Sequence, residues 1–584
     1  VRAFLTGPAF LALAACGGGE KTLPGLGPAP IPYADTLPIE EPEARAPREL
    51  AELLKASMRD EVAHTLSPRT RVSPPPEALN VTHFDDVVSS AWFEHRITGA
   101  GLSPEEVAAG PDAAGPDTSR TLTVISGKGA GVSPGFTVRD RKGDRYLLKF
   151  DPPGFPGLAS GADVVSSRLF WAAGYHVPRD EVITIDPGLL EVADDATMAT
   201  FITERPMVDD DVIAILEEVD PLPDGRFRAL ASRLVDGVPK GPFRFEGTRD
   251  DDPNDHYPHE DRRELRGLWV LAAWLEHVDL RFANTLDAWI DPPGYLRHYL
   301  IDFGATLGSR SIRVANPREG REHAFDLWPT LGRLTTFGFY RVGWEKIEAE
   351  PIRPSLGWIA TESYEPGEWK PFWPNEAYRR MTERDGYWGA KLVAAFDEAH
   401  LRAAIREGRY PDRAAADSLL DILLYRQEKT VRHWFSRVSP LEEVAVEGRR
   451  GSAVVTFRDL GLSEELWSPS ETRYRWRLTR GDAVLGRGEG EALPGKRQRL
   501  FLSDSVGGIF RVADRGTRGP TAGPGEDGGG SGRRGRRRGG GNDRDRSDPL
   551  LLQITALRPG VSGRPVRITL IPRGEGYEVA GLAH

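Results

Sequence analysis

Apolar residues recur along this chain in two different periods, and the switches between them divide it. Between residues 79 and 240, short apolar runs bounded by Gly, Pro and Asp predominate. Leu122–Ile125, Phe136–Arg139, Tyr146–Phe150 and Arg226–Val235 each read as a strand. One helix is predicted among them at 162–173, stopped by Gly174 and Pro178. After Pro242 the period becomes helical. Leu265, Leu268, Trp269, Ala272 and Leu275 share one face of a helix predicted over 259–276. Similar stripes run through 387–407 (Trp388, Leu392, Val393, Phe396) and 413–437 (Leu419, Leu423, Val431, Trp434). Beyond Ser439-Pro440, strand runs return at Ala453–Phe457, Tyr474–Leu478, Arg499–Leu502, Leu550–Ala556 and Val566–Ile571. The pattern predicts an α+β chain with a strand-rich lobe (79–240), a helical lobe (241–438) and a small C-terminal β-sandwich (439–584).

Composition adds limits. A chain of 584 residues exceeds one hydrophobic core. A net charge of −11 argues against nucleic acid as the partner of the whole chain. The segment 515–548, with Arg533-Arg534-Gly535-Arg536-Arg537-Arg538, reads as a disordered insert in the β domain; contact with anionic lipid or nucleic acid is its other reading. The single cysteine, Cys16, excludes intramolecular disulfides and Cys-rich metal sites. It ends the apolar run Phe10–Ala15 and precedes Gly17-Gly18-Gly19, which reads as an export signal over 1–16. Leu13-Ala14-Ala15-Cys16 resembles the bacterial lipobox, which implies a lipidated Cys16 and anchorage in the cell envelope, facing the periplasm or exterior. A short buried helix with an incidental Cys leaves a cytoplasmic location open. Residues 17–78 read as a Pro-rich tether with a short helical pattern at 47–65.

The candidate chemistry lies after the helix 259–276. The chain reads His277-Val278-Asp279-Leu280-Arg281-Phe282-Ala283-Asn284, passes through a hairpin turning at Asp291-Pro292-Pro293-Gly294, and continues into Asp302-Phe303-Gly304. Phosphoryl transfer needs a carboxylate beside the attacking hydroxyl and oxygen ligands for a hard divalent cation. A loop carrying Asp279 and Asn284, with Asp302 returned beside them by the hairpin, supplies both. Upstream, Ser126-Gly127-Lys128-Gly129-Ala130-Gly131-Val132 reads either as a glycine loop that approaches phosphates or as a flexible hairpin. Tyr146–Phe150 carries Lys149, one of few lysines, on a strand where an interior charge needs a partner. Asp163, near the start of the predicted helix 162–173, is either that partner or a surface acid at a helix N-terminus. The acidic run Thr248–Asp255 reads as a solvated loop before it reads as a Ca²⁺ site. The run Glu260-Asp261-Arg262-Arg263-Glu264 reads as a charged helix start or a substrate-recognition element. Trp328, Trp344, Trp369 and Trp373 read as packing residues or, alternatively, a sugar platform.

The segment 277–304 resembles the catalytic loop and metal motif of protein kinases, and the helical lobe and spacing resemble atypical members such as the HipA-type and secretory-pathway kinases. The resemblance implies a two-lobed fold binding ATP and Mg²⁺ (or Mn²⁺). Asp279 would be the catalytic base, Asn284 and Asp302 the metal ligands, and His277 a structural histidine. Lys149 and Gly127, Gly129 and Gly131 would hold the nucleotide phosphates, with Asp163 positioning Lys149. Val278 stands where the family usually has Arg, which weakens any expectation of control by activation-loop phosphorylation. Residues 79–438 also resemble a group of bacterial lipoprotein-like sequences through Pro134-Gly135-Phe136, His259–Arg266 and Leu300–Gly304. Neither resemblance supplies an acceptor. ATP is not expected outside the inner membrane, so phosphotransferase and lipid-anchored pseudokinase-like scaffold both stand as readings.

Overall fold

A computed structural model describes residues 34–46, 60–66, 75–99, 101–111, 115–128, 134–199, 204–503 and 548–584. Cys16, Gly129, Gly131 and nearly all of the 515–548 insert lie outside the described residues. The chain is α+β, with several sheets and a predominantly helical central region.

The first sheet contains β1 (Leu122–Lys128), β2 (Gly135–Arg139), β3 (Arg145–Lys149), β4 (Asp180–Ile185), β5 (Leu190–Ala199), β6 (Glu204–Pro206) and β7 (Phe227–Arg233), in the order β4-β7-β3-β2-β1-β5-β6. Helix α1 (Leu158–Ala173) lies between β3 and β4, and α2 (Asp209–Glu217) between β6 and β7. Strand alternation gives the two faces separate jobs. Tyr146, Leu148, Phe136 and Val138 point into one core with Val212, Ile215 and Leu216 of α2. Leu230 and Val182 point the other way and pack on Val164 of α1. Lys149 pairs with Leu230 across β3 and β7, so it shares the α1 face.

Asp151 fixes the start of α1. Its carboxylate accepts from the backbone N–H groups of Gly157 (2.8 Å), Ala159 (2.9 Å) and Ser160 (2.8 Å) and from Ser160 Oγ (2.7 Å). This satisfies donors that a helix N-terminus leaves free. Arg228 reaches from β7 to the same carboxylate at 3.3 Å and to the Gly408 carbonyl at 2.7 Å, tying the sheet to the helical region.

The helical region is built on α3 (Arg263–Leu275), whose every residue is buried, with α4 (Glu383–Ala394), α5 (Glu398–Glu407) and α6 (Arg413–Phe435). The stripe expected as one helix over 387–407 is two helices, with Asp397 capping the second. The charged run before α3 is internal rather than solvated. Arg263 pairs with Asp85 at 2.6 Å and with Asp385 at 3.1 Å, and Arg262 with Asp255 at 2.9 Å. The acidic loop is likewise committed: Asp255 also takes His259 Nε2 at 2.7 Å, and Asp251 takes Arg249 at 2.9 Å.

Residues 34–46, expected as tether, lie along the folded body. Asp35 accepts from Ala91 N at 2.9 Å, and Ile39 N donates to the Gly294 carbonyl at 2.9 Å. At the other end, β11 (Leu441–Glu447), β12 (Ser452–Asp459) and β15 (Arg497–Ser503) form one sheet. A second has the order β14-β13-β16-β18-β19, from β13 (Arg473–Arg480), β14 (Ala483–Glu491), β16 (Leu550–Arg558), β18 (Val566–Arg573) and β19 (Gly576–Ala583), with the short β17 (Val561–Ser562) paired to β16. The two sheets share one apolar core, which includes Phe457, Leu500, Trp476 and Ile554.

Candidate active site

α3 ends at Glu276, which adopts a left-handed conformation (φ 56°) and turns the chain out of the helix. His277 follows, fully buried, its ring between Phe170 of α1 (5.8 Å) and Phe303 (5.6 Å). Phe170 and Phe303 also stack on each other at 5.1 Å. Burial pushes the His277 imidazole down to about 4, so it is neutral near pH 7. Ser166 of α1 meets Thr306 at 2.7 Å, and Thr306 Oγ1 donates to the Phe303 carbonyl at 2.8 Å. The loop 277–284, the turn 302–306 and α1 are thus one packed unit.

Strands β8 (Val238–Pro239), β9 (Thr285–Ile290) and β10 (Tyr295–Leu300) form a sheet in the order β10-β9-β8, in which β9 and β10 are the returning hairpin, with Leu300 opposite Thr285. The ladder continues one step, Ile301 N donating to the Asn284 carbonyl at 3.0 Å. That register brings Asp302 back beside the loop. Asp302 has φ 65°, a region non-glycine residues seldom occupy and one that costs about 1–3 kcal/mol. Lys149 Nζ donates to Asp302 Oδ1 at 2.9 Å. Burial alone would lower the Lys149 pKa, but Asp302 and then Asp163 raise it, so Lys149 stays charged.

Asp163 lies well inside α1, not at its N-terminus, because the helix begins at Leu158. It is 2% exposed, and burial together with the Asp180 charge pushes its carboxyl well above the ordinary range. Asp180, at the start of β4, is 1% exposed and is itself raised by burial. The direct partner of Lys149 is therefore Asp302, with the Asp163–Asp180 acid pair close behind. Sequence reasoning missed Asp180: it opens a strand whose pattern gives no hint that its polar first residue is buried.

Asp279 is held from three sides. Trp373 Nε1 donates to Oδ1 at 2.8 Å, Asn284 Nδ2 reaches Oδ2 at 3.2 Å, and Arg281 Nε lies 3.5 Å from Oδ1. Asn284 Nδ2 also donates to the Asp279 carbonyl at 2.7 Å. Burial raises the Asp279 pKa against Arg281 and Arg310, and the Asp302 charge raises it further. Trp373 reaches the site because Phe372 N pairs with the Val278 carbonyl at 2.9 Å. No signal in the sequence distinguished it from the other tryptophans.

Asp279, Asn284, Asp302, Lys149 and Asp163 are thereby gathered at the junction of the sheet and the helical region. Gly127 lies within β1, where a Cβ would meet Met198 and Met207 at 2.8–2.9 Å, so its lack of a side chain serves packing at that point. Among the described residues no group of three His, Cys, Asp or Glu side chains forms a metal cluster, and no helix is long and apolar enough to cross a membrane. Comparison of the chain with protein-family models, with curated proteins and with solved structures finds no match to any of them.

Proposed function

We propose that the protein is an ATP- and Mg²⁺-dependent phosphotransferase (Mn²⁺ being the alternative metal) with a two-lobed, atypical protein-kinase-like fold, acting on a hydroxyl of a protein or small molecule. The observation that carries this reading is the ion pair between Lys149 Nζ and Asp302 Oδ1 at 2.9 Å, a contact between residues 153 positions apart, with Asp279 and Asn284 fastened to each other beside it. Further support comes from the strands β4-β7-β3-β2-β1, antiparallel to one another in a sheet whose β1–β5 pair is parallel, which carry Lys149 on the face that packs on α1.

The donor set suits a hard cation. Asn284 uses its amide nitrogen on Asp279, leaving Oδ1 as the atom for a metal, and Asp302 is 43% exposed at its side chain. Two oxygen donors leave most of an octahedral shell to phosphate and water. The metal would offset charge on the phosphates when bound. Lys149 would then turn from Asp302 to the phosphates. Asp279 would accept the hydroxyl proton of the acceptor, its carboxylate oriented by Trp373 and Asn284 and its basicity raised by burial. The packed rings of His277, Phe170 and Phe303 keep this loop and the Asp302 turn at a fixed spacing.

One observation favours a second reading. Both Asp279 oxygens already accept hydrogen bonds, from Trp373 and Asn284. That suits a lipid-anchored pseudokinase-like binding or scaffold protein of the envelope that holds nucleotide without transfer. Incubation with γ-labelled ATP and Mg²⁺ separates the two. Label transfer, to itself or to an extract, that is lost in Asp279→Ala supports the phosphotransferase; transfer that survives Asp279→Ala refutes the assigned base. The anchor is tested independently by a globomycin-sensitive mobility shift, which Cys16→Ser should remove.

A further inference from the structure

A cavity of about 330 Å³ opens where the end of α1, the linker after β7 and strand β10 meet. It lies at the far end of the β3–β7 pair from the candidate active site. Lys149 stands opposite Leu230, whereas Arg233, on the cavity wall, stands opposite Tyr146. Three residues of strand separate the two places, about 10 Å. Four arginines line the cavity, Arg96, Arg179, Arg233 and Arg297, against two carboxylates, Glu94 and Asp236. Arg96, Arg179 and Arg233 keep 12%, 16% and 24% of their side-chain surface accessible, and Arg297 is half-buried.

The acids near these arginines are unevenly placed. Arg96 pairs with Glu94 at 2.9 Å and donates to the Trp171 and Tyr175 carbonyls. Arg179 takes Glu181, from outside the cavity, at 3.0 Å. Arg233 takes two acids, Asp144 at 3.1 Å and Asp236 at 3.2 Å, although Asp236 is 75% exposed at its side chain and water screens its charge. Arg297 has no carboxylate partner among the described residues. It donates to the Tyr295 hydroxyl at 2.5 Å, and its other partner is the Tyr299 phenol. Two phenols occupy only part of a five-donor guanidinium. The local field is accordingly positive. Burial first, then the Arg96 and Arg297 charges, hold the His176 imidazole on the cavity wall well below its ordinary range, so it adds no charge near pH 7. Arg297 also lowers the Arg96 pKa, after burial and against Glu94. A doubly charged oxyanion suits two neighbouring arginines whose one carboxylate, Glu94, is 45% exposed. Val177, Pro178 and Leu234 add apolar wall that an inorganic ion would leave uncovered. We infer that this cavity binds a small organic phosphomonoester, its phosphate on Arg297 and its carbon part against Val177, Pro178 and Leu234, separate from the Lys149–Asp302 site.

The test is isothermal titration of the full chain with phenyl phosphate and with phenol at millimolar concentrations, without nucleotide or Mg²⁺. Phenyl phosphate should bind saturably and phenol should not. Arg297→Gln, checked for an intact melting transition, should weaken phenyl phosphate binding about tenfold or more. Lys149→Met should leave that binding in place, because Lys149 lies at the other end of the strand pair. Hydrogen exchange of the wild type, which needs no variant, should slow at 233–236 and 297–299 when phenyl phosphate is present. No saturable binding of phenyl phosphate overturns the proposal. So does phenol binding as tightly as phenyl phosphate, or binding that Arg297→Gln leaves intact. Binding that Lys149→Met abolishes, with exchange at 233–236 unchanged, also overturns it, since it moves the phosphate to the candidate active site.

Discussion

Asp85 is the residue whose loss should cost most away from the candidate site. Its carboxylate, 1% exposed, accepts from Arg263 Nη1 at 2.6 Å, Arg384 Nε at 3.2 Å and the His584 backbone N–H at 2.9 Å. It thereby fastens α3, α4 and His584 to one point. Burial alone would raise its pKa, but Arg263, His584 and Arg384 hold it well below the usual carboxylate range. Asp85→Ala leaves two buried guanidinium groups short of a partner. Breaking a buried pair costs about 3–5 kcal/mol. Arg263 keeps Asp385 at 3.1 Å and Arg384 keeps Glu77 at 3.4 Å, which places the expected loss near the lower end, about 3 kcal/mol. Guanidinium unfolding followed by tryptophan fluorescence measures it, and hydrogen exchange should show the loss concentrated in β19 and α4. The pH sign follows from linkage. A folded pKa below the unfolded one means that stability is present above the unfolded value, near 4, and is lost as pH falls through the folded value. Asp85→Ala should therefore flatten the acid limb below about pH 4. A destabilisation under about 1 kcal/mol, with an unchanged acid limb, would refute the reasoning.

Two further outcomes are expected. His277 is held neutral at about 4, below its unfolded value near 6.5, so the unfolded chain takes up the extra proton and stability falls from about pH 6.5 down to 4. His277→Phe, which keeps an aromatic ring against Phe170 and Phe303, should remove most of that loss in urea titrations run across this range. Asp151→Ala strips three backbone donors of their partner and Arg228 of its carboxylate; a loss of about 2–4 kcal/mol and faster hydrogen exchange in the first turns of α1 should follow.

What was legible in the sequence was whatever lies close along the chain. The helix before His277, the strand carrying Lys149 and the hairpin returning Asp302 all follow from local periodicity and turn residues. What was not legible depends on distant partners. Arg262 and Arg263 look like a solvated helix start until Asp85 and Asp385 are seen to be buried against Arg263 and Asp255 against Arg262. Trp373 reaches Asp279 across 94 positions through one backbone contact at Val278. Strand β5 reads Leu-Glu-Val-Ala-Asp-Asp-Ala-Thr-Met-Ala, too acidic to announce itself, because it lies toward one edge of the sheet and keeps several side chains exposed. The helix expected to open near Asp163 begins at Leu158, since Asp151 caps it from a distance that no local capping rule covers.

The most direct measurement is the thermal unfolding of the full chain with and without Mg-ATP, for the wild type and for Asp302→Ala. Ligand at about 100 times its Kd should stabilise the wild type by about 2.7 kcal/mol. Asp302→Ala, compared with its own ligand-free melt because the change also unpairs Lys149, should show no gain. A wild type that does not shift at millimolar Mg-ATP, or a variant that shifts as much as the wild type, would contradict the assignment of Lys149, Asn284 and Asp302 to a nucleotide–metal site.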